Sequence, residues 1–192
     1  MTVPAAGLVL AAGEGRRFGA PKATLPLGGK RLVDQAVRLL VDGDCWPIVV
    51  VDGAVRVRVP GARVVHNPDW RTGMASSLRA GIEALRDEEV GAVVVALVDQ
   101  PWLGPESVHR LRAARAGGAF VAVATYGGES GNPVLLGREV WDDVLALAEG
   151  DVGARAFMQA HPELVTAVPC DGTGRPDDVD HPGDLRPDDH EH

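Results

Sequence analysis

From Ala92 to Val98 the chain reads Ala-Val-Val-Val-Ala-Leu-Val, an apolar run with no polar interruption. Successive side chains of a strand point to opposite faces, so such a run leaves neither face for water. Strands of this kind belong to parallel sheets covered by helices on both sides. The rest of the chain keeps that rhythm. Strands are predicted at Val3 to Leu10, Pro47 to Val51, Ala62 to Val65, Gly91 to Val98, Phe120 to Tyr126 and Val165 to Val168. Between them, apolar residues recur at helical spacing in Leu32 to Leu40, Met74 to Leu85 and Glu106 to Ala116. Val140 to Ala148 and Gly153 to Ala160 also read as helices, and Pro105 suits a first helical turn. The expected fold class is α/β: a single domain with a mainly parallel, doubly wound sheet flanked by helices and right-handed crossovers. The domain is expected over residues 1–186, and the acidic, His-bearing stretch 187–192 is expected to be disordered.

Charge narrows the partners. The chain has 192 residues, 27 acidic and 19 basic, with a net charge of −8. A broad nucleic-acid surface needs a basic stripe, which this balance disfavours. One anionic nucleotide needs only a few placed cations and a metal. No apolar run approaches the ~20 residues of a membrane span, so no membrane partner is expected. The first residues lack the basic start and small-residue cleavage site of a secretory signal. Cys45 and Cys170 have neither CxxC nor Cys/His spacing. A cytoplasmic location is expected.

In open α/β sheets, ligands bind beyond the carboxyl ends of the strands, near the switch in strand order. The loops after the strands are therefore the informative ones. After the first comes Leu10-Ala-Ala-Gly-Glu-Gly-Arg-Arg-Phe-Gly-Ala-Pro-Lys22. Gly13, Gly15 and Gly19 let backbone N–H groups approach phosphates, and Arg16, Arg17 and Lys22 add cations to the same loop. The string is neither a P-loop nor a dinucleotide fingerprint. A second loop, Asn67-Pro-Asp-Trp-Arg-Thr-Gly-Met-Ala-Ser-Ser, brings Ser76 and Ser77 to a helix start. There they can cap the helix or bond a base or phosphate. Asp99 ends the buried strand, a position costly for a carboxylate unless it is solvated, paired or metal-bound. A late Asp178-Val-Asp-His-Pro-Gly-Asp-Leu185 supplies Asp180. The four tryptophans read as packing anchors.

Leu10 to Lys22 matches LAAGxGxRxGxxK, and the chain thereby resembles the MobA-like NTP transferase superfamily with its Rossmann-like fold. N-x-x-W-x-x-G-M-x-S-S-L-x-x-G-I at Asn67 to Ile82 is similar to a segment of the molybdenum cofactor cytidylyltransferases. So are Gly131-Asn-Pro-Val-Leu135, with Asn132 where that family has His, and Gly150-Asp-Val-Gly-Ala-Arg155. The Asp178 to Leu185 ending resembles D-I-D-T-P-E-D-L, with His181 and Gly183 departing from it.

The resemblance implies an enzyme that transfers a nucleoside monophosphate and releases pyrophosphate. It implies nucleotide contacts at Leu10, Ala11, Ala12, Gly13, Gly15, Arg17, Lys22, Ser76 and Ser77. Arg17, Lys22 and Asp99 would be catalytic, with Mg²⁺ held by Asp99 and Asp180. Gly131, Asn132 and Pro133 would face the acceptor. LAAG and Asp99-Gln-Pro101, in place of LAGG and DxP, favour CTP over GTP. The implied acceptor is a phosphorylated small molecule, molybdopterin, and a transient contact with a molybdoenzyme follows. Alternatives are another acceptor such as a sugar phosphate, GTP as donor, or a non-catalytic carrier of the cofactor.

Overall fold

The computed structural model of the protein describes residues 4–185, so the 187–192 stretch lies outside the described residues. The elements run β1 (Ala5–Leu10), β2 (Pro26–Leu27), β3 (Lys30–Arg31), α1 (Leu32–Asp42), β4 (Ile48–Asp52), β5 (Arg63–His66), α2 (Met74–Glu83) and β6 (Ala92–Leu97). They continue with α3 (Pro105–Ala116), β7 (Val121–Tyr126), β8 (Glu129–Gly137), α4 (Trp141–Leu147), α5 (Arg155–Ala160) and β9 (Val165–Pro169). One seven-stranded sheet has the order β5-β4-β1-β6-β8-β7-β9. All its strands point the same way except β8, which is antiparallel to both β6 and β7. This is the mainly parallel α/β sheet expected, with one strand the sequence did not announce. β8 begins Glu-Ser-Gly-Asn-Pro, and neither its polar start nor an internal Pro133 reads as a strand.

The alternation in β1 and β6 explains their continuous apolar sequence. Ala5 and Val9, with Ala92, Val94 and Ala96, face the layer built with α1 and α3. Ala6, Leu8 and Leu10, with Val93 and Val95, face the opposite layer, which includes Leu78 and Ile82 of α2 and Trp141 of α4. Trp141 is 1% exposed, and its indole N–H donates to the Leu136 carbonyl. Both cysteines are buried and free. Burial pushes the Cys45 thiol up to about 12, so it stays protonated and unreactive. No helix among the described residues is long and apolar enough to cross a membrane.

The strand order sets the position of the site. From β1 the chain moves outward to β4 and β5, then returns through α2 to β6 on the other side of β1. β1 and β6 therefore flank the switch point, and their carboxyl ends open a crevice. The short β2–β3 hairpin beyond the first loop is held to α1 by Gln35, whose amide donates to the Leu27 and Lys30 carbonyls.

Candidate active site

Pairing with the sheet carries the chain past β1 before the glycine loop begins. Ala11 N–H donates to Val51, and Ala12 accepts from Ala54 N–H, each at 2.9 Å. The loop then turns at Gly15, whose φ is 65°. A side chain there would place Cβ 2.0 Å from the Ala20 carbonyl oxygen, so the turn requires glycine. The Gly15 carbonyl accepts from Phe18 and Gly19 N–H, folding the loop back on itself. The amides of Gly13, Glu14, Gly15, Arg16 and Arg17 find no acceptor among the described residues. Successive unclaimed N–H groups of this kind form a concavity suited to phosphate oxygens.

Lys22, at the end of the loop, closes the constellation. Its Nζ lies 2.9 Å from Asp99 Oδ2 and 2.9 Å from Asp180 Oδ1. Arg17 Nη1 stands 3.4 Å from the other Asp180 oxygen. The Lys22 side chain is 13% exposed, Asp99 24% and Asp180 35%, so solvent reaches the carboxylates more readily than the amine. Burial alone would lower the Lys22 pKa, but the hydrogen bonds to Asp180 and Asp99 prevail and raise it. The Lys22 hydrogen bond in turn holds Asp180 below the usual carboxylate range. Asp99 is thus paired within the protein, one of the conditions under which a carboxylate is tolerated at the end of a buried strand.

Two carboxylates converging on one cation form a donor set that fits Mg²⁺. This hard cation takes oxygen ligands and keeps several positions for water and phosphate. Among the described residues no group of three or more His, Cys, Asp or Glu could hold a metal, so any further ligands would come from substrate and water.

Around these groups lies a cleft of about 450 Å³, lined by Ala12, Gly13, Gly15, Arg17, Lys22, Ser77, Asp99 and Asp180. Leu10 lines it as well, whereas Ala11 is buried in the layer with α1. The two serines differ. Ser76 Oγ is turned to the Gly73 and Asp69 carbonyls and receives an N–H from Asn67, which fixes the start of α2. Ser77 Oγ accepts from Asn67 at 3.0 Å, lines the cleft, and has no acceptor for its own proton among the described residues. Trp70, which read as a packing anchor, also lines the cleft, beside Met74.

A second cavity of about 680 Å³ adjoins the first across Leu10, Met74, Leu97 and Asp151. Its floor includes Leu78, Val95, Val123 and Val134, and its polar lining includes Asn132, Glu129 and Arg155. Gly131 and Asn132 line it, while Pro133 is buried behind them. Asp151 stands at the seam, where its Oδ1 accepts the Met74 N–H at the start of α2. Spacing could flag the motifs around Trp70 and Asp151, but which side chain faces the cavity depends on how β1, α2 and the 149–153 loop meet.

The comparisons agree with this geometry. A structure of a homologue of Mycobacterium tuberculosis Rv0371c, from Mycobacterium sp. strain JC1, superposes with a TM-score of 0.81 at 30% identity, covering 94% of this chain and 92% of that one. The chain is 35% identical to a nicotine blue oxidoreductase of Paenarthrobacter nicotinovorans, over 91% of each. It is 37% identical to a probable molybdenum cofactor guanylyltransferase of Mycobacterium tuberculosis, over 57% of this chain and 56% of that one. The sequence pattern of the MobA-like NTP transferase domain matches residues 7–165, which include the glycine loop, Lys22 and Asp99. With that match over most of its length, and with the fold and the strand-end site in place, the chain belongs to the MobA-like NTP transferase family of nucleotidyltransferases.

Proposed function

We propose that the protein is a cytoplasmic, Mg²⁺-dependent cytidylyltransferase that moves CMP from CTP onto the phosphate of molybdopterin and releases pyrophosphate. The observation that carries this reading is the convergence of Asp99 and Asp180 on a single cation beside the glycine loop. An acceptor phosphate oxygen attacks the α-phosphorus, the new P–O bond forms, and the bond to the pyrophosphate oxygen breaks. Asp99 and Asp180 would hold Mg²⁺, which supplies charge neutralisation at the α-phosphate. Loop amides, Arg17 and Lys22 hold the triphosphate and take up the charge that grows on the leaving pyrophosphate. In the free protein Lys22 occupies the space between the carboxylates, so it turns toward phosphate when nucleotide and metal arrive.

The cytidine preference rests on the corner formed by Ala12, Gly53 and Trp70. Ala12 and Trp70 line the cleft, and Gly53 backs them so closely that a Cβ on it would lie 2.8 Å from the Ala12 methyl and 2.6 Å from Trp70 Cβ, so neither side chain can withdraw from the cleft. A pyrimidine demands less of it than a purine. The Ser77 hydroxyl offers a donor to a base edge. The acceptor reading rests on the second cavity, whose apolar floor suits a flat ring system and whose Asn132 and Arg155 suit its polar edge. The product would pass to a molybdoenzyme in a transient contact.

The test is to incubate the protein with each NTP, Mg²⁺ and molybdopterin and to follow pyrophosphate. Release with CTP is expected. Release only with GTP or only with a sugar phosphate would replace donor or acceptor, and cofactor binding without release would indicate a carrier. The 35% likeness to a nicotine blue oxidoreductase favours a second reading, reduction of a heteroaromatic compound in the same cavity. Oxidation of NADH or NADPH dependent on such a compound, without nucleotide turnover, would support it.

A further inference from the structure

Asp180 reaches the site on a strap that runs back along the end of β6. The strap begins where Gly174 pairs with Leu103 in an antiparallel bridge. Gly174 has a φ of 143°, and a Cβ there would meet the Trp102 carbonyl at 2.4 Å, so the strap lies directly against the 102–104 segment. Arg175 N–H donates to Trp102, and Val179 N–H donates to the Asp99 carbonyl at 2.8 Å. On the far side, the Asp184 carboxylate accepts the N–H groups of Asp180 and His181.

Between those backbone ties sits one side chain, Gln100, only 8% exposed. Its Nε2 donates to the Pro176 carbonyl at 3.1 Å and to Asp178 Oδ1 at 2.7 Å. Its Oε1 is buried with no partner among the described residues. A buried orphan oxygen is costly, so the position needs what the other end of the amide supplies. That end carries two N–H groups and no charge. A lysine would set another cation beside Lys22, and an asparagine is one methylene shorter than the span from the backbone at 100 to the strap.

We propose that Gln100 is a positioning residue, which clamps Pro176 and Asp178 so that the strap delivers Asp180 opposite Asp99. Gln100 touches neither nucleotide nor metal and acts through Asp180. This inference rests on the reading that Asp99 and Asp180 hold a divalent cation.

The test is Mn²⁺ affinity of the full chain without nucleotide, measured by electron paramagnetic resonance. Gln100→Met keeps length and charge and removes both donors. Loss of a group bonded directly to a metal ligand weakens affinity by about 10–100-fold; Gln100 acts one residue further out, through the strap, so a loss at the low end of that range, ~10-fold, is expected. Asp178→Asn keeps an acceptor oxygen for the Gln100 amide and Asp178→Leu, at the same charge, does not, so the Leu variant is expected to bind Mn²⁺ at least ~5-fold more weakly than the Asn variant. If Gln100→Met is folded and binds Mn²⁺ like wild type, even with a lower melting temperature, the proposal is overturned. Should Gln100→Met not fold, the two Asp178 variants decide: weaker binding by the Leu variant supports the clamp, and equal affinities of the two overturn it. Asp180→Asn separates the two levels. Unchanged Mn²⁺ affinity there removes the metal reading itself, and the Gln100 proposal with it.

Discussion

Replacing Lys22 with methionine probes the centre of the site in two ways at once. In the free protein it removes two charge-assisted hydrogen bonds of 2.9 Å and leaves Asp99 and Asp180 facing each other. Bonds of this kind contribute about 1.5–3 kcal/mol when sheltered, but carboxylates open to solvent recover much of that from water, so a net loss of about 1–2 kcal/mol is expected. For a domain of this size that lowers the melting temperature by about 2–8 °C. The loss depends on pH in a definite direction. Lys22 holds Asp180 below its ordinary value of 3.8, so the stabilisation is complete above that value and disappears as pH falls through the lower folded one. The Lys22 pKa is raised above 10.5, so the bridge persists into alkali and is lost only as pH rises through that raised value. Wild type and variant should therefore differ at pH 7 and converge in strong acid. Catalysis should suffer more: one lost transition-state contact of ~3 kcal/mol lowers turnover by ~10²-fold. The assays are melting curves across pH and pyrophosphate release at saturating nucleotide. Equal melting temperatures at pH 7 would mean that Lys22 does not bridge the two carboxylates in solution, and turnover within about threefold of wild type would mean that it does not contact the transition state.

Other substitutions separate chemistry from folding. Asp99→Asn should abolish metal-dependent pyrophosphate release while the protein stays folded, and retained activity would move the metal elsewhere. Arg17→Ala should leave the melting temperature unchanged, since the side chain is 73% exposed, yet lower turnover by ~10²-fold if it contacts the triphosphate. Ser76→Ala should destabilise the start of α2 by about 1 kcal/mol with little effect on nucleotide KM, whereas Ser77→Ala should raise that KM. Leu78→Ala, at 1% exposure between α2 and the sheet, should cost about 2–5 kcal/mol in denaturant melts, and a smaller loss would mean the layer refills the space.

Where local pattern and tertiary demand coincide, the sequence was enough. Ala92 to Val98 had to be a strand covered on both faces, and β6 is one. The carboxyl ends of β1 and β6 could be named as the candidate site, where the cleft lies, because buried strands leave only their ends for polar chemistry. β8 was not legible, since its pairing between β6 and β7 depends on strand order rather than on its own residues. The partner of Asp99 was not legible for a similar reason. Its partner lies 77 residues earlier, and the Asp180 contact to Lys22 spans 158 residues, distances at which no spacing rule operates. The division of labour between Ser76 and Ser77 follows from the Asn67 amide, which only folding brings to both.

Transfer of a cytidylyl group is decided by the ratio of kcat/KM for CTP and GTP with the same molybdopterin acceptor. A base that leaves buried polar groups unpaired loses about 1–3 kcal/mol for each, so a preference for CTP of at least ~10-fold is expected. Ala12→Gly should narrow that preference without raising activity with CTP, because it removes a methyl that lines the cleft. A ratio of one, or a preference for GTP, would contradict both the pocket argument and the cytidylyl assignment.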